Sequence, residues 1–160
     1  MQVNWFDNEP FESKLKRLLE TVDKLANQGS VSLIGVSAGA SLALAAYSLR
    51  KDNISSVVFI CGKLQNPGGV NESYFRKNPA FRESVFSTPD NLANLTDVDK
   101  AKMQTIHAFI DTVVPVRDSK IAGVRDKTIP AIGHVVSISL AITLYAKSIT
   151  AFIKKCAPKT

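Results

Sequence analysis

The sequence predicts an α/β fold: a three-layer sandwich whose helices cover a mostly parallel sheet of about five or six strands. Short apolar runs typical of buried strands alternate with longer segments of helical character. Residues 31–34 and 54–60 are two such apolar runs, and the alanine- and leucine-rich segment 38–49 lies between them. Because a helix joins these consecutive strands, we expect them to be parallel.

The composition predicts one domain spanning residues 1–160. Of these residues, 45% are hydrophobic and 21% are charged, which suits a single sizeable core. The net charge is +6, but the 20 lysines and arginines are scattered, with no run longer than two. We therefore interpret them as a solvated surface and expect no nucleic acid partner.

The cysteines and the apolar runs bear on the cellular setting. The two cysteines, Cys61 and Cys156, lack the spacing of a disulfide framework or a metal site. The N-terminus has no basic segment followed by an apolar core, and no run of about 18 apolar residues follows. We expect a cytoplasmic protein with no membrane association, no metal and no cofactor.

The first 30 residues have room for one strand and one helix. Residues 2–6 are a short candidate strand, and residues 7–10 offer an N-cap and an early-helix proline. From Phe11 onward, apolar residues recur with helical spacing until Gln28 and Gly29 end the helix. The apolar positions are 11, 15, 18, 19, 22 and 25.

Residues 62–100 interrupt the alternation of strands and helices. This segment is too short to hold its own core, so we expect a cap-like excursion over the carboxyl edge of the sheet, with a short helix near residues 88–95. Its aromatic residues either line an acyl pocket or anchor the excursion to the rest of the domain. These aromatic residues are Tyr74, Phe75, Phe81 and Phe86.

Two more strands and a helix complete the predicted pattern. Residues 104–110 and 127–129 form the strands, with a brief helical turn at 118–123 between them. A loop over residues 130–134 leads to the closing helix at 136–155. The apolar residues of that helix at 138, 142, 145, 149 and 152 share one face.

The segment Gly35-Val-Ser-Ala-Gly39 is the strongest motif in the chain. It has the pattern G-x-S-x-G between a predicted strand and a predicted helix, the context that a nucleophile elbow requires. Small residues surround Ser37, as a tight and strained turn demands. Ser37 is therefore a candidate nucleophile at a helix N-terminus, where unpaired N–H groups stabilise a developing oxyanion. The alternative is a glycine-rich turn with a capping serine.

A nucleophilic serine needs a base, and the chain has only two histidines, His107 and His134. His134 follows a strand and a glycine, on a predicted loop that leads into a helix, which suits a proton-shuttling imidazole. His107 lies inside an apolar strand, where a packed or surface histidine is the favoured interpretation.

The base needs a carboxylate to orient it, and Asp111 lies where a predicted strand ends. Catalytic groups of open parallel sheets gather at the carboxyl edge, where Ser37 and His134 are also expected. The chain order of serine, aspartate and histidine is the order found in this class of triad.

These residues make the chain resemble the α/β-hydrolase superfamily, and in particular its small esterase-like members. The matching pieces are Gly35-Val-Ser-Ala-Gly39, the pattern Asp111-x-x-Val-Pro115, and Gly133-His134 before the last helix. The resemblance implies a minimal α/β-hydrolase fold and a serine hydrolase that cleaves a small or medium acyl ester or thioester through an acyl-enzyme. It implies that Ser37 is the nucleophile, Asp111 the acid and His134 the base.

The resemblance also implies an oxyanion hole, to which the backbone N–H of Ala38 contributes. Larger members place further strands and a His-Gly oxyanion loop ahead of the elbow, whereas only about 30 residues precede it here. Either the turn at residues 6–8 supplies the second donor, or Ala38 is the only one. Losing one donor costs about 3 kcal/mol of barrier, roughly a hundredfold in rate.

Three further hypotheses follow from the sequence. A catalytically weak or inactive binding protein on the same scaffold is the main alternative, because the N-terminal half is short. A nucleotide-binding fold is disfavoured, because the glycines do not follow G-x-G-x-x-G and no acidic residue closes the strand near Ile60. A missing early strand would leave a sheet edge open, which favours a homodimer.

Overall fold

A four-stranded parallel sheet forms the centre of the computed structural model, which describes residues 3–158. The strands lie in the order β1-β2-β3-β4, and each pairs with the next along the chain. Their carboxyl ends therefore meet at one edge of the sheet, where the following turns begin. The strands are β1 (Val31–Val36), β2 (Ile54–Ile60), β3 (Met103–Ile110) and β4 (Arg125–Ile132).

Eight helices surround this sheet in the described part of the chain. Helices α1 and α2 flank β1 in sequence, four short helices separate β2 from β3, and two helices follow β4. Short 3₁₀ turns occupy residues 67–69 and 116–119. The helices are α1 (Phe11–Ala26), α2 (Gly39–Leu49), α3 (Glu72–Lys77), α4 (Pro79–Phe86), α5 (Thr88–Ala93), α6 (Asp97–Ala101), α7 (His134–Thr143) and α8 (Ala146–Cys156).

The three predicted layers arise from the alternation of side chains along β2. Val57 and Phe59 point into a core shared with α2, whereas Val58 and Ile60 point into a second core shared with α7 and α8. Successive side chains of a strand face opposite sides of a sheet, so a run that is apolar throughout buries both faces. The predicted three-layer α/β sandwich is confirmed.

The sheet has four strands over residues 3–158 and not five or six, and the predicted N-terminal strand accounts for part of this difference. Gln2 lies outside the described residues, and residues 3–6 are not in a strand. The Asn4 side chain accepts a hydrogen bond from the Phe6 N–H (3.0 Å), and the Asp7 carboxylate accepts one from the Glu9 N–H (3.1 Å). Such local side-chain bonds compete with strand pairing for the backbone donors.

The C-terminal elements also differ from the prediction. Strand β4 is longer than the predicted 127–129, and the single predicted helix at 136–155 is two helices that meet at 64°. Because β4 continues to Ile132, the predicted loop at 130–134 is mostly strand. None of the described helices could span a membrane alone; α7 and α8 meet the criteria of length and composition only as a bent pair.

The excursion between β2 and β3 consists of α3 to α6. Phe75 and Phe81 are buried and pack together with ring centroids 5.9 Å apart, and Trp5 meets Phe81 edge-on at 5.6 Å. Tyr74 and Phe86 remain more than 40% exposed. The two buried rings therefore anchor the excursion to the N-terminal segment, which is the second of the two interpretations of these aromatic residues.

Candidate active site

Ser37 occupies a strained turn between β1 and α2. Its φ is 50°, in the left-handed region that non-glycine residues rarely adopt, at a typical cost of about 1–3 kcal/mol. The turn is held because the Ser37 N–H donates to the Ile60 carbonyl of β2 (2.9 Å). A side chain at Gly35 would lie 2.7 Å from the backbone of Ala40, so the close approach of α2 to β1 requires glycine there. This is the geometry predicted for a nucleophile elbow.

His134 lies opposite Ser37. It is the first residue of α7 and not part of a loop, and Gly133 before it has a φ of 102°. The Gly133 N–H donates to the Ile110 carbonyl (2.8 Å), which fixes this turn to the end of β3. The His134 Nε2 atom is 2.8 Å from the Ser37 Oγ atom. Two residues that are 97 positions apart in sequence are therefore in hydrogen-bond contact.

Asp111 follows β3 and holds the other side of the imidazole. Its Oδ2 atom accepts a hydrogen bond from the His134 Nδ1–H (2.7 Å), and its Oδ1 atom accepts from the N–H groups of Val113 (2.8 Å) and Val114 (2.9 Å). The Asp111 side chain is only 1% exposed. Because Nδ1 carries the ring proton toward the carboxylate, Nε2 is free to accept the Ser37 proton.

Ala38 and the N-terminus of α2 complete this side of the site. Ala38 precedes the first residue of α2, whose early N–H groups have no partners within the helix. Ala38 and Trp5 both pack against the cluster formed by Phe75, Phe81 and Val85. Trp5 of the N-terminal segment thus packs on the same cluster as Ala38, the residue that follows Ser37.

Cys61 also lies at this site, although its sequence context did not predict this position. It follows β2, is fully buried, and has a φ of 48°. Ligand atoms of Cys61, Asp111 and His134 all lie within 4.8 Å of one another. Burial and, to a smaller extent, the charge of Asp111 raise the pKa of Cys61 to about 11, so the thiol is neutral at neutral pH. The position of Cys61 at a strand end was the signal available in the sequence.

His107 lies elsewhere and has different partners. It is buried within β3, where its Nδ1–H donates to the Ala108 carbonyl (2.8 Å) and its Nε2 atom is 3.0 Å from the Asp126 carboxylate of β4. The structure therefore brings together Ser37, His134 and Asp111, and it assigns His107 to a separate pair.

No family model matches this sequence, and no curated protein matches it. Solved structures do resemble it. A carboxylesterase of the ammonia-oxidizing thaumarchaeon Nitrososphaera gargenis matches with a TM-score of 0.66 and 14% identity, over 96% of this chain and 79% of its own. A meta-cleavage product hydrolase of Pseudomonas fluorescens IP01 matches with a TM-score of 0.60 and 14% identity, over 96% and 75%. An alpha/beta hydrolase from the metagenome of lagoon sediments at Mar Chica, Morocco, matches with a TM-score of 0.60 and 16% identity, over 94% and 72%.

The chain has the α/β-hydrolase fold. The predicted minimal version of that fold is confirmed, because the four strands and their helices cover nearly all of this chain but about three quarters of each similar structure. In this fold, Ser37, Asp111 and His134 follow β1, β3 and β4 at the carboxyl edge of the sheet.

Proposed function

We propose that this protein is a serine hydrolase that cleaves a small or medium acyl ester or thioester. The observation that carries the proposal is the continuous hydrogen-bonded path from Ser37 Oγ to His134 Nε2 (2.8 Å) and from His134 Nδ1 to Asp111 Oδ2 (2.7 Å). A serine, a free imidazole nitrogen and an orienting carboxylate are the groups that acyl transfer requires. The solved structures that resemble this chain include a carboxylesterase and other hydrolases, which supports the proposal.

Each of the three side chains has one role in the proposed reaction. Ser37 Oγ forms a bond to the acyl carbon as its proton passes to His134 Nε2, and Asp111 stabilises the imidazolium. The imidazolium then gives the proton to the leaving oxygen or sulfur, whose bond to the acyl carbon breaks. Water attacks the acyl-enzyme by the same route and restores the free serine.

The oxyanion that forms during each step needs donors near Ser37. We assign the Ala38 N–H as one donor, assisted by the N-terminus of α2. We assign the second to Asp7 or Asn8 in the turn at residues 6–8, because Trp5 next to that turn packs on the same aromatic cluster as Ala38 and the Phe6 N–H already donates to Asn4. A single donor would leave the enzyme slower by roughly 10²- to 10³-fold.

A groove beside β1 supports a substrate of modest size. It has a volume of about 480 Å³, lies between β1, α1 and α2, and approaches the elbow at Val36 and Gly39. Apolar residues such as Leu18, Val22 and Leu42 line it, which suits an acyl chain. In a series of p-nitrophenyl esters from acetate to palmitate, we expect the highest kcat/KM at short or medium chain length.

Labelling with a fluorophosphonate tests the proposal directly. The reagent forms a phosphorus–oxygen bond at an activated serine and releases fluoride. We expect the wild-type protein to be labelled and folded Ser37→Ala to remain unlabelled, with Ser73→Ala, at an exposed serine of α3, as the control that keeps the label. An unlabelled wild-type protein with native circular dichroism would refute the hydrolase and favour the alternative of an inactive binding protein.

The homodimer remains a separate proposal, and the two edges of the sheet support it. β1 carries no charged residue and no proline, whereas β4 at the other edge carries Arg125, Lys127 and Pro130. Charges and proline protect an edge strand from pairing with another chain. Light scattering should therefore report a dimer in wild type and a monomer in Ile34→Lys. A monomeric wild-type protein at high concentration would exclude this interface.

A further inference from the structure

Cys61 has no part in the proposed hydrolysis, yet it lies against two of the three side chains that we propose carry it out. Its backbone is anchored because its N–H donates to the Ile106 carbonyl of β3 (2.7 Å), and its φ of 48° is strained for a residue with a side chain. The residue is fully buried, so its thiol faces protein groups and not solvent. Among those groups are the His134 imidazole and the Asp111 carboxylate.

We propose that Cys61, Asp111 and His134 form a binding site for a zinc ion that inhibits the protein reversibly. Their ligand atoms lie within 4.8 Å of one another. In a tetrahedral zinc site, bonds of about 2.0–2.3 Å place the ligand atoms roughly 3.3–3.7 Å apart. The His134 Nδ1 and Asp111 Oδ2 atoms are 2.7 Å apart, so they must separate by roughly 0.6 Å to hold the ion between them. The Cys61 Sγ atom lies within 4.8 Å of both, and a water molecule supplies the fourth ligand.

The chemistry of the three ligands selects the ion. A thiolate and an imidazole favour Zn²⁺ over Mg²⁺ and Ca²⁺, which prefer sites built from oxygen atoms alone. One thiolate and one carboxylate also neutralise the two positive charges of the ion. Binding releases the thiol proton of Cys61 to solvent, and no oxidant or reductant is needed.

Inhibition follows from the position of the ring proton of His134, and this consequence rests on the proposed hydrolase function. The imidazole nitrogen that faces Asp111 is Nδ1, which carries the proton in the catalytic arrangement. When Nδ1 binds zinc, the ring proton moves to Nε2. Nε2 then has no lone pair with which to accept the Ser37 proton, so the ion holds the imidazole in the unreactive tautomer.

Binding of cobalt(II), a spectroscopic substitute for zinc, tests the site without any measurement of activity. Untagged, reduced protein should bind one Co²⁺ and show a near-ultraviolet thiolate-to-cobalt charge-transfer band that Zn²⁺ abolishes. The chain has only two cysteines, so Cys156→Ser provides the matched control and should keep the band. Cys61→Ser should lose it, and calorimetry should find zinc binding weakened by more than the roughly 10- to 100-fold that loss of an outer-shell partner causes.

The outcomes separate this inference from the proposed function. Absence of the band in both wild type and Cys156→Ser overturns the zinc site, and neither result depends on the folding of Cys61→Ser. A band together with no fluorophosphonate labelling would keep the metal site and reject the hydrolase. If both proposals hold, Zn²⁺ should inhibit wild type and Cys156→Ser alike, and a chelator should restore their activity.

Discussion

Two histidine–aspartate pairs connect β3 to β4, and they differ in what faces the second nitrogen of each ring. The His134–Asp111 pair lies beyond the carboxyl ends of the strands. The His134 Nδ1 atom is 2.7 Å from the Asp111 Oδ2 atom, and the His134 Nε2 atom faces the Ser37 hydroxyl. The His107–Asp126 pair lies within the strands, where the His107 Nε2 atom is 3.0 Å from the Asp126 Oδ2 atom. The remaining nitrogen of His107 donates to a backbone carbonyl.

A histidine beside a carboxylate is suited to base catalysis only when its other ring nitrogen can accept a proton from a nucleophile. The ring nitrogens of His107 lie against the Ala108 carbonyl and the Asp126 carboxylate, with the Thr128 hydroxyl 3.3 Å from Nε2, so neither nitrogen faces the Ser37 hydroxyl. His134 has one acceptor and one donor hydroxyl, which leaves Nε2 basic. We therefore expect the His107–Asp126 pair to stabilise the sheet and the His134–Asp111 pair to carry out the chemistry.

Replacing each histidine should give the largest difference between the two pairs. We expect His134→Ala to lower kcat by roughly 10⁴- to 10⁶-fold, because Ser37 loses its base. His107→Ala should keep a near-normal kcat and unfold at a lower temperature, and His107→Gln offers a better-packed control. Ester turnover and thermal denaturation measure the two effects. If His107→Ala remains folded but loses ester turnover, the assignment of His134 as the base is wrong.

Replacing each aspartate should separate function from stability. Asp111→Asn should reduce kcat by about 10⁴-fold, since the amide no longer holds His134 in the reactive tautomer. Asp126→Asn should leave kcat near the wild-type value and reduce the free energy of unfolding by about 1–3 kcal/mol, because the buried His107 loses its charged partner. Urea denaturation followed by circular dichroism provides the second value. Equal losses of kcat in both variants would remove the distinction between the pairs.

A smaller effect is expected from acid. Burial raises the pKa of Asp126, but hydrogen bonds from Thr105, His107 and Lys120 outweigh it and hold the pKa below its usual value of 3.8. A lowered pKa in the folded state contributes stability above pH 3.8, and this contribution is lost as the pH falls through the folded-state value. Wild type should therefore lose more thermal stability between pH 6 and pH 3 than Asp126→Asn does. Equal losses of melting temperature in wild type and Asp126→Asn over this pH range would contradict the prediction.

The sequence predicted that Ser37, Asp111 and His134 lie together because the signals for all three are local to strand ends. The G-x-S-x-G motif, the aspartate after one strand and the histidine after another each mark a carboxyl end. Parallel pairing in the order β1-β2-β3-β4 then brings those ends together. The assignment of His107 to a strand interior likewise follows from the apolar run around it.

Other features depend on contacts that no local pattern reveals. The N-terminal strand fails because Asn4 and Asp7 bond to nearby backbone groups, although the residues between them are apolar enough for a strand. The break between α7 and α8 falls within a continuous run of helix-forming residues. Cys61 was unremarkable in sequence because its neighbours at the site, Asp111 and His134, are 50 or more positions away.

Trapping the acyl-enzyme tests the central claim most directly. Wild-type protein should be mixed with a p-nitrophenyl ester, quenched in acid during turnover, digested with trypsin and analysed by mass spectrometry. We predict that the acyl mass appears on Ser37 in wild type and is absent from Ser37→Ala. Steady turnover with no acyl group on Ser37, or with the acyl group on Cys61, would contradict the account.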